Sequence, residues 1–465
     1  MRLQMAEHDV PPFLIYHKRE EVRYMGILQF FRNRQKQKEL IEPKLEKHVD
    51  YKDMVLMYKD TPVIDVKFGE HGISECGNLR DMEMLPRFVI NPNNPQTVDN
   101  INYKEMKMSI WDWIQYRTIP DARPNLTECL KRCELKTPTD LMCHSLGLSF
   151  SDSYWFKPKG LEITWDDVNL YKNGFSQDVG DILMDPTTNK LHISFLSPDP
   201  TTKGVEPKRW VIENGEAYLI KTDKQNEQKA YNELVAALIC KKLGLKCAEY
   251  ETIKGKMTTD MYSAPTEFKC TFSKSKNFCR EGISYYPADQ VRMMMPTSDL
   301  NDFLETLKVK EPAVFKEFQK MLVLDFIINN EDRHSENFGF EIDENGNWYL
   351  APVFDNGNSL YYNKGIQAIG KDEYTGYCKF HGGYDNPVMM WTNIEYKDQL
   401  DFFNIEDFAN IKEEVIEIFR ESSMSEERIQ ALANYVESQV QEVQKFKDRL
   451  PERIVIKDEI DNEER

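Results

Sequence analysis

The hydrophobic and polar positions in the second half of the chain follow the short period of β-strands before they change to the longer period of helices. We predict short strands, rich in β-branched and aromatic residues, at His192–Leu196, Arg209–Ile212, Ala217–Lys221, Cys247–Ile253 and Phe268–Ser273. The dipeptide Asn214-Gly215 predicts a tight hairpin turn between the second and third of these strands.

Two helices are predicted in the same half. Apolar residues recur at helical spacing from Gln225 to Leu243, and Gly244 stands where a glycine commonly ends a helix. A second apolar helix is predicted at Val314–Asn329. This order of elements indicates an α+β, bilobal, protein-kinase-like fold with a small β-rich N-lobe and a larger helical C-lobe, preceded by an N-terminal mixed α/β region.

The first half of the chain has weaker patterns. Lys36–Lys47 is dense in lysine and glutamate and predicts a solvated helix, whereas Asn91–Asn100 predicts a loop. The aromatic-rich stretch Leu148–Tyr171 predicts a packing surface. We expect a charged N-terminal region (1–100), an aromatic-rich leader that packs on the kinase (101–185), an N-lobe (186–278), a C-lobe (279–455) and an acidic tail (456–465).

Composition narrows the class of protein. The 465 residues are 40% hydrophobic and 12% aromatic, which is enough for two or three folded domains. The formal net charge of -18 argues against a protein that grips nucleic acid directly, because phosphate contacts need clustered lysine and arginine. A nucleotide site is compatible with this charge, since one lysine and a metal ion supply the positive charge there.

No targeting or membrane segment is predicted, and we expect a cytoplasmic protein. The apolar run Met321–Ile328 is interrupted by Asp325 and is far shorter than the ~20 residues of a membrane helix. The nine cysteines do not have the spacing of a disulfide framework. A small set of neighbouring residues has the side chains of a zinc site, but its spacing favours buried free thiols; the set is Cys129, Cys133, Cys143 and His144.

The strongest chemical signal is the segment Asn330–Asn337, directly after an apolar helix. Phosphoryl transfer needs a carboxylate that orients the attacking hydroxyl group, and oxygen ligands that hold magnesium on the phosphates. Asp332 is the candidate carboxylate, and Asn337 follows at the offset found in kinase catalytic loops. His334 is interpreted as a structural hydrogen-bonding residue, because kinases of this logic use a carboxylate. Asp325 either lies at the exposed edge of its helix or ties down this loop.

A second acidic residue is predicted to meet this loop. Strands at Phe338–Ile342 and Trp348–Ala351, joined by a turn at Asp343–Asn347, form a hairpin that returns the chain to the loop. Asp355 would then lie beside Asn337 and share magnesium with it, and Gly357 permits a sharp turn after it.

A lysine completes the constellation. Lys221 ends an apolar strand and can reach the α- and β-phosphates of a nucleotide. Glu233 on the following helix is placed to pair with it, and Glu227 is the competing choice. Each piece alone is common in surface turns, but their order and spacing together favour a phosphotransferase.

The same residues resemble the HipA-like kinase family, which comprises serine/threonine kinases of bacterial toxin–antitoxin modules and their stand-alone relatives. The resemblance is carried by Thr201–Lys208, by Asn232-Glu233 with Leu243–Leu245, by Asp332–Asn337 and by Phe354–Leu360. Trp113–Arg123 and Gly147–Phe156 resemble the leader regions of stand-alone members, which puts a toxin role and a helix-turn-helix antitoxin in doubt for this chain.

This resemblance implies roles for individual residues. It implies an ATP- and Mg²⁺-dependent kinase with Asp332 as base and with Asn337 and Asp355 as metal ligands. Residues near the ATP phosphates would be Gly204, Val205, Lys208 and Lys221. Thr201, with Thr202 as its neighbour, matches a loop serine whose autophosphorylation ejects the loop in the family. We also expect the adenine-contacting linker near Lys274–Phe278, with Ser275 and Phe278 as contacts.

Three readings of function remain open from the sequence. The leading one is a kinase that phosphorylates a protein hydroxyl, with an unidentified acceptor and an antitoxin-like protein partner. A small-molecule or lipid-type kinase is an alternative, because similar Asp-Arg-His…Asn loops occur there. The third is a nucleotide-binding pseudokinase that acts as a sensor or interaction module, against which the intact Lys221, Asp332, Asn337 and Asp355 set argues.

Overall fold

The computed structural model of the protein describes residues 49–70, 72–89, 102–190, 192–223, 226–261, 264–295, 300–371 and 394–453. The predicted helix at Lys36–Lys47, the predicted loop at Asn91–Asn100 and the acidic tail at 456–465 lie outside these residues. The domain boundaries expected from the sequence stay a prediction.

An antiparallel sheet that the sequence did not predict lies in the first half of the chain. Its first two strands carry buried residues at intervals on one face, whereas the strand from the aromatic-rich stretch is buried at most of its positions. The spatial order is β3-β2-β1-β4. The first strand therefore lies between the second strand and the fourth, and the fourth comes from the aromatic-rich stretch. The strands are β1 (Asp53–Tyr58), β2 (Thr61–Gly69), β3 (Gly72–Gly77) and β4 (Tyr154–Pro158).

Short helices also form in the first half of the chain, and several of them pack on this sheet. The longest of them, α1, buries Ile110 and Trp113 in the same apolar core as the strands, and Trp113 packs edge-on to Tyr154. The aromatic-rich stretch is therefore a packing surface, as predicted. The helices are α1 (Tyr103–Gln115), α2 (Leu126–Arg132), α3 (Pro138–His144), α4 (Trp165–Val168), α5 (Leu170–Asn173) and α6 (Asp178–Met184).

A second antiparallel sheet follows, in the order β5-β6-β8-β7. The turn at Asn214-Gly215 is confirmed, with left-handed φ angles of 53° and 82°. The last two strands form a longer hairpin than the sequence predicted. The strands are β5 (Lys208–Glu213), β6 (Glu216–Thr222), β7 (Tyr250–Met261) and β8 (Ala264–Lys276).

The strand predicted at His192–Leu196 is wrong. This segment has no strand partner, and its polar groups bond to the segment around α6: Ser194 N donates to a carboxylate oxygen of Asp178 (3.0 Å), and Leu196 O accepts from Ser176 N (2.6 Å). Its β-type composition instead reflects apolar side chains that pack beside helices α2 and α6.

The predicted helix before Gly244 is confirmed as α7 (Gln228–Leu243), and Gly244 ends it with a φ of 60°. The apolar helix predicted at Val314–Asn329 is α10 (Pro312–Ile328), with Asn329 as its left-handed cap. Both helices contribute to one large apolar core with the remaining helices. These are α8 (Ala288–Met294), α9 (Leu300–Lys310), α11 (Ile411–Arg420) and α12 (Glu426–Arg449).

A third small sheet, in the order β11-β10-β9, carries the predicted hairpin after the catalytic-loop candidate. Its strands are β9 (Ile283–Pro287), β10 (Gly339–Asp343) and β11 (Trp348–Leu350). The structure is thus a mixed α/β fold with antiparallel sheets and many helices. None of the helices among the described residues has the length and apolar character needed to cross a membrane.

The cysteines near the first sheet are free thiols. Cys129 and Cys143 are buried and Cys133 is half-buried. His144 is engaged elsewhere, because its Nδ1 contacts the carbonyl oxygen of Asp140 (2.8 Å) and its ring stacks on Tyr51. In the described parts of the chain, no three histidine, cysteine or acidic side chains gather closely enough to hold a metal ion.

Candidate active site

A buried ion pair organises the segment that follows α10. Arg333 and Asp325 are 0% and 1% exposed, and Arg333 contacts both carboxylate oxygens of Asp325 at 2.9–3.3 Å. Asn330 adds a third contact, since its Nδ2 donates to the same carboxylate (3.0 Å). Of the two readings of Asp325, the second is therefore confirmed: it ties down the loop.

The guanidinium group of Arg333 also joins two segments that are distant in sequence. Its Nη1 donates to the carbonyl oxygens of Asn337 (2.7 Å) and Phe354 (2.9 Å), and its Nη2 contacts the amide oxygen of Asn356. The planar, five-donor group suits this task, because it satisfies several fixed acceptors at once. The loop that bears Asp332 and the segment that bears Asp355 are consequently held together.

Asp332 is positioned by groups from both segments. Its backbone N–H donates to Asn330 Oδ1 (3.0 Å), and its carboxylate accepts from Asn358 Nδ2 (2.7 Å). Asn337 turns back to the same residue, because its Nδ2 donates to the carbonyl oxygen of Asp332 (2.9 Å). This leaves Asn337 Oδ1 as the atom with which the side chain can bind a cation.

Lys221 lies between two carboxylates. Its Nζ is 2.9 Å from Glu233 Oε1 and also contacts Asp355 Oδ1. The competing Glu227 lies elsewhere, where it pairs with Lys254 (3.1 Å) and accepts from the backbone of Ser423 (2.7 Å). The structure therefore brings Lys221, Glu233 and Asp355 together, and it leaves Glu227 out.

The charges of this cluster reinforce one another. Burial acts to lower the pKa of Lys221, but the carboxylates of Asp355 and Glu233 outweigh it and hold that pKa well above its ordinary value. Burial acts to raise the pKa of Asp355, but the ammonium groups of Lys221 and Lys208 outweigh it and hold that pKa below its ordinary value. Both Lys221 and Asp355 are therefore charged at neutral pH.

The backbone at Asp355 is in the left-handed region, with a φ of 60°. A non-glycine residue adopts this conformation at a cost and is held there by its surroundings. Here Tyr250 accepts the Asp355 N–H at its hydroxyl group (3.2 Å), and Glu233 accepts the N–H of Asn356 (2.8 Å). Glu233 thus fixes Lys221 with one oxygen and the acidic segment with the other.

The loop Thr201–Lys208 lies beside this cluster, since Lys208 and Lys221 are direct partners on β5 and β6. Gly204 has a φ of 88°, which residues with a β-carbon rarely adopt, so the backbone conformation favours glycine there; the ammonium end of Lys208 lies beside it. Val205 is exposed next to it. Burial is the main cause that lowers the pKa of Lys208 to about 8, with Arg123 as the next contribution.

Thr201 and Thr202 are engaged in hydrogen bonds. Thr201 is 7% exposed, and its hydroxyl group lies 2.7 Å from the carbonyl oxygen of Leu148 and 3.0 Å from that of Pro198. Thr202 donates to the carbonyl oxygen of Pro198 (2.7 Å) and accepts from Trp210 Nε1 (2.8 Å). Neither hydroxyl group contacts Asp332 in this arrangement.

The residues expected near adenine lie at the end of β8. Ser275 is the strand partner of Leu219 and Tyr250, and Phe278 stacks on Phe354 with ring centroids 5.8 Å apart. Lys274, at the start of the expected linker, is buried on β8 and pairs with Glu213 and Glu251. Phe278, which follows the end of β8, therefore packs on the residue that directly precedes Asp355.

Sequence reasoning missed several residues that hold the site together. The sequence assigns Arg333 no role of its own, because its partners besides Asp325 include backbone carbonyl groups that no sequence pattern reveals. Asn358 likewise has no role assigned by the sequence, although its side chain donates to the Asp332 carboxylate. His334 has the structural role that was expected, because its Nδ1 accepts from the Glu336 N–H (3.2 Å).

Comparison with known proteins finds a family match in the second half of the chain. The family model described as "HipA-like C-terminal domain" matches residues 201–443, which is just over half of the chain. A curated relative, the serine/threonine-protein kinase CtkA of Helicobacter pylori, is 28% identical over 206 residues. These residues are 43% of this chain and 56% of that relative, so the match spans little more than half of the relative's length.

Two solved structures are similar at low identity. A crystal structure of a Helicobacter pylori proinflammatory kinase CtkA matches with a TM-score of 0.39 and 22% identity, over 52% of this chain and 92% of that chain. A complex of the Shewanella oneidensis toxin–antitoxin proteins HipA and HipB with operator DNA contains a chain that matches with a TM-score of 0.45 and 15% identity, over 86% of this chain and 100% of that chain.

The Asp325–Arg333 pair generates a stability prediction. Asp325→Asn leaves a buried, unpaired guanidinium charge, so we expect the free energy of unfolding in urea to fall by about 3–5 kcal/mol. The matched control is Asp401→Asn, which breaks the exposed pair with Lys316 (2.8 Å) and should cost less than about 1 kcal/mol. Equal losses in the two variants would contradict a structural role for the buried pair.

Proposed function

Because the chain belongs to the HipA-like C-terminal domain family, we propose that it is an ATP- and Mg²⁺-dependent kinase that phosphorylates a serine or threonine hydroxyl group of a protein. The observation that carries this proposal is the placement of Lys221 between Glu233 and Asp355, with Asp355 tied through Arg333 to the loop of Asp332 and Asn337. This combination of a lysine, carboxylates and an amide supports phosphoryl transfer, because that reaction depends on positioning the reactants and on stabilising the charge of the phosphates.

We assign the bilobal arrangement as part of the same proposal. The sheet β5–β8 with α7 would form the small lobe, and α8–α12 with the third sheet would form the large one. Lys221 and Glu233 would belong to the first, whereas Asp332 and Asn337 would belong to the second. The reaction site would then lie where the contacts of Lys221 and Glu233 with the Asp355 segment join the two parts.

In the proposed reaction the acceptor hydroxyl oxygen attacks the γ-phosphorus of ATP, and the bond from that phosphorus to the β,γ-bridging oxygen breaks. Asp332 accepts the hydroxyl proton, ADP leaves, and a phosphate ester forms. Asn358 holds the Asp332 carboxylate in place through its 2.7 Å hydrogen bond. Lys221, oriented by Glu233, would bind the phosphates of the nucleotide.

Magnesium fits the residues that are present. Asp355 offers an ionised carboxylate and Asn337 offers an amide oxygen, and such hard oxygen ligands are the ones that Mg²⁺ prefers. Mg²⁺ held there would neutralise charge that develops on the phosphate oxygens. The exposed Gly204 and Val205 and the buried Lys208 would face the phosphates, and Ser275 and Phe278 would approach the adenine. The protein acceptor and an antitoxin-like partner stay predictions.

The first test compares wild type with Asp332→Asn in a phosphotransfer assay with ATP and Mg²⁺. Removal of a general base lowers the rate of transfer by about 100-fold or more, whereas ATP affinity should stay within about twofold. Glu336→Gln is the matched control, because Glu336 is an exposed acidic residue of the same loop. Equal activity of Asp332→Asn and wild type would remove Asp332 from its proposed role, and transfer to a metabolite only would favour a small-molecule kinase.

A second test uses the pKa of Lys208, which burial lowers to about 8. Only the ammonium form attracts phosphate, so we expect the affinity for ATP to fall as the pH rises above about 8. Binding of ATP measured by calorimetry from pH 7 to 10 checks this, with Lys208→Met as the control that should lose the pH dependence. The same dependence in Lys208→Met would assign the titration to another group, with Arg123, Lys221, Asp355 and Glu206 as the charged neighbours.

We also propose that Thr201 is a site of autophosphorylation. A phosphate group cannot stay against the carbonyl oxygens of Leu148 and Pro198, so the modified loop would leave its place. We expect mass spectrometry of the protein after incubation with ATP to find phosphate on Thr201 or on its neighbour Thr202. Asp332→Asn is the control that should remain unmodified, and two unmodified threonines in the wild type would refute this regulation.

A further inference from the structure

Arg123 lies outside the family match, and yet it contacts the loop that is proposed to bind the ATP phosphates. Its Nε donates to the carbonyl oxygen of Gly204 (2.8 Å), and its Nη2 donates to those of Thr202 (2.8 Å) and Lys203 (3.0 Å). A longer contact runs from Nη1 to the carbonyl oxygen of Lys208 (3.5 Å). Four backbone carbonyl groups of one loop are thus directed towards a single side chain.

These contacts determine where the amide N–H groups of the loop point. In a trans peptide the carbonyl and N–H groups point in opposite directions, and all peptide bonds here are trans. The N–H groups of Lys203, Gly204 and Val205 therefore point away from Arg123. Within the described residues, no hydrogen-bond acceptor meets any of these three N–H groups.

Successive unpaired N–H groups around a glycine with positive φ form a concave site for an anion. Gly204 has this conformation, and residues 203–205 are exposed. Lys208 Nζ lies against Gly204 and adds a positive charge at the same place. The loop therefore offers three backbone donors and an ammonium group to a phosphate oxygen.

We infer that Arg123 is a positioning residue for nucleotide binding: it draws the loop carbonyl groups to one side and so presents the N–H groups of residues 203–205 to the phosphates of ATP. This inference rests on the proposed function and deepens it. It also gives the segment before the family match a role in nucleotide binding, since that segment supplies the side chain that orders the loop.

Arginine suits this position better than lysine does. The guanidinium group has five N–H donors in a plane, and four donor–acceptor contacts are directed to the loop. Arg123 is 3% exposed, and a buried cation is stable only if its donors are satisfied. Burial lowers its pKa to about 10, while Asp199 and Glu206 oppose this, so the group stays charged at neutral pH.

A second contact anchors the same segment, because Ile119 N donates to the carbonyl oxygen of Pro200 (2.9 Å).

The test is Arg123→Lys in the full chain, which retains the charge and loses the fork of donors. We expect faster hydrogen–deuterium exchange in residues 202–208 and an affinity for ATP reduced about tenfold, because the loop would spend most of its time away from the binding-competent arrangement. Calorimetry measures the affinity without any need for phosphotransfer. Should Arg123→Lys fail to fold, Arg123→Gln avoids a buried charge and keeps two donors.

Arg117→Lys is the matched control. Arg117 is 5% exposed in the same segment, and it contacts Asp152 and the carbonyl oxygens of Gly147 (2.8 Å) and Tyr154 (3.2 Å), with no contact to the loop. Arg117→Lys should leave the hydrogen–deuterium exchange of residues 202–208 and the affinity for ATP unchanged. If Arg123→Lys and Arg117→Lys alter exchange and ATP affinity equally, the inference is overturned.

Two further outcomes separate this inference from the proposed function. ATP affinity that is equal in wild type and Arg123→Lys would refute the positioning role alone. A wild-type protein that does not bind ATP would refute the proposed function together with the nucleotide part of the inference. In that case, hydrogen–deuterium exchange at residues 202–208 that is the same in Arg123→Lys and wild type would also refute the inference that Arg123 orders the loop.

Discussion

The buried pair of Arg333 and Asp325 is the constraint on which the arrangement of the site depends. Two charges that lie 0% and 1% exposed must satisfy each other and their remaining hydrogen-bonding groups, because bulk solvent does not reach them. Arg333 does this with the backbone carbonyl groups of Asn337 and Phe354. The loop after α10 and the segment after β11 therefore cannot shift independently, and the residues proposed to act on the nucleotide inherit that rigidity.

The sequence predicted the parts of this site that follow local rules. The catalytic-loop candidate follows a periodic helix, the hairpin of β10 and β11 returns the chain, and Asn214-Gly215 marks a turn with a known backbone conformation. The choice between Glu227 and Glu233 could not be made from the pattern. Glu227 precedes α7 and Glu233 lies on it, and which of them meets Lys221 depends on how α7 packs on β7 and β8, which is a tertiary property.

Other features depend on contacts between distant residues, and sequence reasoning missed them for that reason. The strands β1–β3 lie in a stretch that the sequence marks only by its charge, and β4, which pairs with β1, lies about 100 residues further on. The segment His192–Leu196 has β-type residues and forms no strand, because its backbone groups bond to the segment around α6. Arg123 and Arg333 act through backbone carbonyl groups, which leave no mark in the amino-acid sequence.

At Asp355 the strain of a left-handed backbone is opposed to the charge pairing of the side chain. Glycine adopts a φ of 60° without strain, so on backbone grounds alone glycine is the more stable choice there. Glycine, however, has no carboxylate for Lys221 or a cation. Asp355→Gly would therefore relax the backbone and at the same time leave the ammonium group of Lys221 with Glu233 as its remaining carboxylate, so the strain at residue 355 is retained for the sake of a charge pair.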